Sequence, residues 1–189
     1  VSDDKRQVVV VDLETTGFNH KVHHVVECAW WNLDTDERGH FVPLHNVREA
    51  LASANVQSLR INRYIDRLAS APQDTSGEGA RRLAEQLEGN VLAGSNPTFD
   101  ARFLPRMYAP YVAADLVFEP TWHHRLWDLS AYAAGVLGLD ELPGLARVCE
   151  LLGYKPGDHT AEGDVTAAGY CFKALRQLTG ERNRYRIKV

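Results

Sequence analysis

The sequence predicts a single α/β domain built on a five-stranded mixed sheet flanked by helices. Three observations predict it. The run Val8-Val9-Val10-Val11 has the continuous apolar character of a buried central strand. Two further strand-like segments follow at short intervals, which favours an antiparallel meander for the first three strands. Beyond them, segments of helical period alternate with short apolar strands, the order expected of an α/β layer architecture. A length of 189 residues suits one domain with one sizeable core. Residues 1–180 are read as that domain and residues 181–189 as a basic C-terminal tail.

The elements follow in order. The first strand ends in Asp12-Leu13-Glu14 and is stopped by Thr15-Thr16-Gly17. A second strand spans Val22 to Trp31, where Trp30 and Trp31 are read as core and sheet packing. The cluster Asp34 to Gly39 is a turn, and His40 to Leu44 is a third strand. Helices are expected over Arg48 to Ala54, Val56 to Ala69 and Glu78 to Leu87, with Ser70 to Gly79 a loop by composition. Val91 to Gly94 is a short buried strand leading into a helix from about Thr98 to Ala109, distorted at Pro105. Arg125 to Trp127 is the last strand, and Asp128 is placed to cap a helix running to Leu137. Gly144 to Leu152 is an amphipathic helix stopped by Gly153. A final helix runs from about Glu162 to Leu178, with Val165, Ala168, Phe172 and Leu175 on one apolar face.

Composition narrows the function classes. Three cysteines, Cys28, Cys149 and Cys171, are odd in number and widely spread, which argues against a disulfide framework or a structural zinc site and for a reducing, cytoplasmic setting. No apolar run approaches the roughly 18 residues that span a bilayer, so no membrane role is expected. No leader is visible, and the start at Val1 rather than Met leaves open trimming or a longer parent chain. A net charge of −4 is unlike a module held along nucleic acid by electrostatics alone. It suits an enzyme working at a strand end, whose carboxylates are neutralised by bound cations.

Three groups of residues carry chemistry. Asp12 and Glu14 are two apart on a strand, so their side chains share a face. Like charges at a buried strand end repel and are costly to desolvate, and a hard cation such as Mg²⁺ or Mn²⁺ removes both penalties. The second group is Asn96-Pro97-Thr98-Phe99-Asp100, with Asp100 in the first turn of a helix. The third is His159-Thr160-Ala161-Glu162-Gly163-Asp164, a histidine before a helix whose first turns carry an acid. Asp100 or Asp164 alone is better explained as an ordinary helix-start acid favoured by the helix dipole. Glu162 is offset from Asp164 and points elsewhere on the helix. The pairs His23-His24 and His123-His124 are read as structural or surface residues.

Together these groups resemble the DnaQ-like exonuclease family, in its DEDDh branch. The family's D-x-E-T-T-G motif is matched at Asp12 to Gly17, N-x-x-F-D at Asn96 to Asp100, and H-x-A-x-x-D at His159 to Asp164. Leu142 to Gly153 looks like the usual lead-in to the third motif. The sibling branch has a tyrosine four residues before the last aspartate, and Thr160 stands there. The resemblance runs from about Val8 to Leu178 and implies a ribonuclease H-like fold with a site at the strand ends.

It also implies a reaction: 3′→5′ hydrolysis of phosphodiester bonds with two Mg²⁺ or Mn²⁺ ions, releasing nucleoside 5′-monophosphates. Asp12, Glu14, Asp100 and Asp164 are then the metal and catalytic acids, and His159 is the general base. Thr15, Thr16, Asn96 and Phe99 are the expected substrate contacts, with Phe99 suited to stacking on an unpaired base. The expected partner is a single-stranded 3′ end, DNA favoured over RNA, in proofreading or repair beside a DNA polymerase. The alternatives are a 3′→5′ exoribonuclease of the oligoribonuclease or tRNA-trimming kind, and an inactive nucleic-acid-binding scaffold. Arg60, Arg63 and Arg67 recur on one expected helix and are read first as a solvated face, second as phosphate contacts.

Overall fold

Four valines and the acidic segment after them form one continuous central strand, β1 (Val8–Thr15). The computed structural model describes residues 5–66, 71–113 and 119–186, with side chains described up to residue 180. β2 (Val25–Asn32) pairs antiparallel with β1 in the register Val10↔Trp31, Asp12↔Ala29 and Glu14↔Glu27. β2 starts later than the sequence suggests. The Val22 and His23 amides donate to the Asn19 carbonyl at 3.0 and 2.8 Å, which folds residues 19–23 into a turn. β3 (Arg38–Pro43) completes the antiparallel meander.

Two short helices follow, α1 (Val47–Ser53) and α2 (Val56–Ile61), each capped by an asparagine side chain, Asn46 and Asn55. The single helix expected from Val56 to Ala69 is broken at Asn62 and Arg63. Asn62 is buried, donates from its side chain to the Thr15 carbonyl at 2.9 Å and accepts from the Tyr64 amide at 3.1 Å. A side chain that satisfies backbone groups on both sides of itself competes with the helix it sits in. Arg63 takes a left-handed φ of 51°. Arg60 and Arg63 therefore do not continue one regular helix, and Arg67 lies outside the described residues.

Inside the segment expected to be loop, Gln73–Asp74 forms β4, parallel to Val42–Pro43. It makes the sheet six-stranded rather than five-stranded, in the order β4-β3-β2-β1-β5-β6. Two residues are too short for a hydrophobic period to mark; tertiary hydrogen bonds hold them. The Tyr111 hydroxyl donates to the Asp74 carbonyl at 2.9 Å, and Gln73 Oε1 accepts from the His45 amide at 3.0 Å.

The remaining elements are α3 (Glu78–Leu87), β5 (Val91–Gly94), α4 (Pro97–Tyr108, with Pro105 inside it), β6 (Trp127–Asp128), α5 (Leu129–Leu137), α6 (Leu145–Leu152) and α7 (Ala161–Arg186). β5 runs parallel to β1, and β6 parallel to β5. Asp128 ends β6 and caps α5, accepting from the Ala131 amide at 2.8 Å. α7 outruns its expected end at Leu178 and carries the basic C-terminal segment as helix to Arg186. No helix among the described residues is long and apolar enough to cross a membrane.

Strand alternation sorts β1 into two cores. Val9, Val11 and Leu13 pack with Trp30 against Leu83 and Leu87 of α3 and Phe103 and Leu104 of α4. Val8 and Val10 pack with Ala29 and Trp31 against α5, α6 and the Val165, Ala168 and Phe172 face of α7. Asp12 and Glu14 continue the second face. Their carboxylates therefore rise toward the N-terminal end of α7, and that is what places the site.

Candidate active site

The strand pairing at the end of β1 is irregular, with a register shift between Glu14 and Thr15. A bulge of this kind bends a strand and re-aims its side chains, and it is common beside active sites. Asp12 and Glu14 sit just before it on one face. Across from them α7 brings in Asp164, less than one turn from its start at Ala161. Asp12, Glu14 and Asp164 each offer a carboxylate oxygen, and these atoms lie within 4.8 Å of one another. All three residues are half-buried. Three like charges so close, partly removed from water, repel strongly unless a cation lies among them. The donors are all carboxylate oxygens with no cysteine or histidine in the group, which fits a hard divalent ion of the Mg²⁺ or Mn²⁺ type.

Asp100 belongs to the same end of the sheet but is not in that group of three. It is buried in the first turn of α4 and accepts from the Leu13 amide at 3.1 Å. This bond ties α4 to β1 between the two acids of the strand. The close approach also depends on Gly94. A Cβ there would stand 2.9 Å from the Val11 carbonyl oxygen, so β5 reaches this position only without a side chain. Burial pushes the Asp100 carboxyl up to about 7, against the opposing pull of the hydrogen bonds it accepts.

The raised Asp100 carboxyl has a consequence for stability. A carboxyl raised in the folded state from 3.8 to about 7 binds more protons folded than unfolded across that interval. Its cost to the cation-free protein is absent below pH about 4 and complete above about 7. Asp100→Asn keeps an acceptor for Leu13 and removes the charge. The variant should gain stability over the wild type as pH rises through that window, by a few kcal/mol at pH 8, because each tenfold change in proton affinity is worth about 1.4 kcal/mol. Urea unfolding at pH 4.5 and pH 8 in EDTA checks this; an equal difference at both pH values would contradict it.

Asp164 is held from two sides. Its Oδ1 accepts from the His159 amide at 3.3 Å. Gly157 lies so close that an added Cβ would overlap the same carboxylate. Gly157→Ala should therefore displace Asp164 and cut hydrolysis about tenfold or more, the size of losses from disturbed metal-site support. A steady-state assay and a Mn²⁺ titration check it; wild-type values in both would contradict it.

His159 itself is exposed and takes a left-handed φ of 60°, unusual for a residue with a Cβ. The loop around it is braced from within. Asp158 accepts from the Thr160 hydroxyl at 2.7 Å, and the Thr160 hydroxyl accepts from the Gly163 amide at 2.9 Å as an N-cap would. The structure thus brings the three strand-and-helix acids together, buries Asp100 against the Leu13 amide and carries His159 on the loop that touches Asp164.

The other expected substrate contacts divide. Thr15 and Thr16 are buried, and their hydroxyls are engaged within the protein. Thr15 donates to the Gly17 carbonyl at 2.8 Å, and Thr16 Oγ1 accepts from the His24 amide at 3.0 Å. Their side chains shape the loop rather than project from it. Asn96 is exposed and makes no capping hydrogen bond with its side chain, although it occupies the N-cap position of α4. Phe99 is half-buried, its ring 4.7 Å from that of Phe103. Glu162 is exposed and outside the acid group.

Two residues of this region are not picked out by the sequence motifs. Phe18, 74% exposed, stands next to Gly17 at the tip of the loop that β1 feeds. An aromatic directly after a strand-end acid motif is a usable signal for it. Glu27 is 4% exposed and faces Glu14 across the strand pair. Its oxygens meet His40 Nε2 at 2.8 Å and the Ala161 amide at 3.2 Å. Nothing in the sequence marks that partnership, because the amide lies 134 residues away.

Comparisons with known proteins identify the family and the fold. Residues 9–172 match the RNase_T family, described as exonuclease. A ribonuclease T from Hahella chejuensis is 30% identical over 183 residues, covering 86% of this chain and 81% of its own. Among solved structures, a zinc-bound Escherichia coli exonuclease I–single-stranded DNA complex superposes with a TM-score of 0.67 at 16% identity over 96% of this chain. The same enzyme with a dT13 oligonucleotide gives 0.65 at 16% identity. This chain spans 43% of either exonuclease I chain, so these likenesses speak for the fold.

Proposed function

The chain belongs to the RNase_T exonuclease family, in the DnaQ-like group, and from that premise we propose that it removes nucleotides stepwise from single-stranded 3′ ends using two divalent cations, Mg²⁺ or Mn²⁺. The observation that carries the proposal is the gathering of the Asp12, Glu14 and Asp164 carboxylates within 4.8 Å at the end of β1.

Asp12, Glu14 and Asp164 would hold the ions, with Asp100, bound to the Leu13 amide, as the fourth acid at the same end of the sheet. When bound, the ions lower the pKa of water and offset the charge that develops on the phosphate and the leaving oxygen. The protein's own proton acceptor is the His159 imidazole, which takes a proton from the attacking water. Its exposure leaves it open to a substrate arriving from solvent, and its backbone bond to Asp164 keeps the loop in register with the acids. Phe18 and Phe99 offer aromatic faces on which the terminal bases stack, and Asn96 offers its side-chain amide beside them. Thr15 and Thr16 act by folding the loop that presents Phe18. The buried free cysteines are compatible with a reducing, intracellular setting.

For the polymer, a second reading stands beside DNA. DNA is the polymer expected from the sequence, and the likeness to a ribonuclease T favours RNA. Matched single-stranded DNA and RNA oligonucleotides, incubated with Mg²⁺, Mn²⁺ or EDTA, test both. Nucleoside 5′-monophosphates released from either polymer, and only with a cation, support the proposal. A ratio of kcat/KM above about tenfold, which is about 1.4 kcal/mol of discrimination, assigns the preference. No release from either polymer in any metal would overturn it.

A further inference from the structure

We propose that Glu27 is a positioning residue that clamps the start of α7 to β2 and so sets where Asp164 stands; the inference rests on the exonuclease reading above. Glu27 is the third acid on the sheet face that carries Asp12 and Glu14, directly opposite Glu14 in the strand register. It is 4% exposed, where a carboxylate needs strong partners to persist. It is outside the group of acids whose oxygens converge. Both its oxygens have protein partners instead. Oε1 meets His40 Nε2 at 2.8 Å, and Oε2 accepts from the Ala161 amide at 3.2 Å.

Ala161 is the first residue of α7, and its amide is one of the donors that a helix leaves without an intrahelical acceptor. Asp164 lies three residues on, a rise of about 4.5 Å along the helix. Fixing Ala161 against β2 therefore fixes the origin from which Asp164 is measured. The same point ends the loop that bears His159. The strand pair holds Glu14 and Glu27 in register, so one rigid ladder positions an acid of the metal group and the clamp for its partner across the gap. His40, on β3, holds the other carboxylate oxygen and orients the clamp. Support of this kind behind metal ligands commonly changes metal affinity or activity by about 10–100-fold when removed.

Reach and charge can be separated by two conservative changes. Glu27→Gln removes the charge but keeps the length; its carbonyl oxygen still accepts from Ala161, and its amide donates to His40 in the other tautomer. Glu27→Asp keeps the charge but is one methylene short of spanning both partners. Three quantities decide: the Mn²⁺ dissociation constant by calorimetry, kcat and KM separately, and hydrogen exchange at the amides of residues 161–164 without metal. The clamp predicts that Glu27→Asp weakens Mn²⁺ binding and lowers kcat by about tenfold or more, with KM little changed and faster exchange at residues 161–164. Glu27→Gln should stay within about threefold of the wild type in all three. Equal deficits in both variants, or a larger deficit in Glu27→Gln, would overturn the proposal and assign the effect to charge. Wild-type behaviour of Glu27→Asp would overturn it too. Exchange is read without metal, so a clamp seen there beside a wild type that binds no Mn²⁺ would fault the metal reading and leave the clamp standing.

Discussion

Replacing Asp12 with alanine will abolish metal-dependent hydrolysis while leaving the protein folded. Asp12 lies in the regular part of β1, paired with Ala29, ahead of the register shift between Glu14 and Thr15. Its side chain is half-buried and belongs to the group of converging carboxylates, so no apolar core contact is lost with it. Removal relieves repulsion among the remaining acids, and the cation-free protein should be at least as stable as the wild type. A loss of at least about a thousandfold in kcat corresponds to about 4 kcal/mol of transition-state stabilisation, a reasonable share for an essential ligand of catalytic ions. Thermal unfolding in EDTA and turnover in Mn²⁺, measured on one preparation, check both halves. Wild-type turnover in the variant would remove Asp12 from the site.

His159→Ala should lower kcat by about 10²- to 10⁴-fold, the usual worth of a positioned proton acceptor. It should leave Mn²⁺ affinity within a few-fold of the wild type, because the bond from residue 159 to Asp164 is made by the backbone amide, which alanine keeps. Alanine can take the left-handed φ of 60°, though less readily than histidine, so the loop's stability should fall only slightly. The pH–rate profile separates a proton acceptor from a loop brace. A base role predicts that the variant loses the rise in rate on the acidic side of the profile. An unchanged profile with a uniformly lower rate would count against the base role.

The fold and the site were legible to different depths. β1, α3 and β5 could be read to the residue or nearly so, because each is a local pattern: four valines, a helical stripe between Gly77 and Glu88, and an apolar stretch closed by glycine. Elements held by distant partners were not. β4 exists because Tyr111 and His45 bind its two residues, and α2 stops early because Asn62 turns to the Thr15 carbonyl. Neither bond has a signature in the local sequence. The same division applies to the site. Asp12 and Glu14 declare themselves by sharing a strand face, whereas Asp100 and Asp164 look like ordinary helix-start acids until the fold sets Asp164 against the strand pair and ties Asp100 to the Leu13 amide. The buried state of Asp100 and the clamp at Glu27 depend on packing alone. Thr15 and Thr16, conspicuous in the motif, turn their hydroxyls inward to build the loop.

The most direct test of the account is the direction and metal dependence of digestion. A single-stranded oligonucleotide labelled at its 5′ end should give a ladder that shortens step by step from the 3′ end in Mg²⁺ or Mn²⁺. The ladder should disappear in EDTA and in Asp12→Ala. Shortening from the 5′ end, internal cleavage without a ladder, or an undiminished ladder in EDTA would contradict a cation-dependent 3′→5′ exonuclease built on the acids at the end of β1.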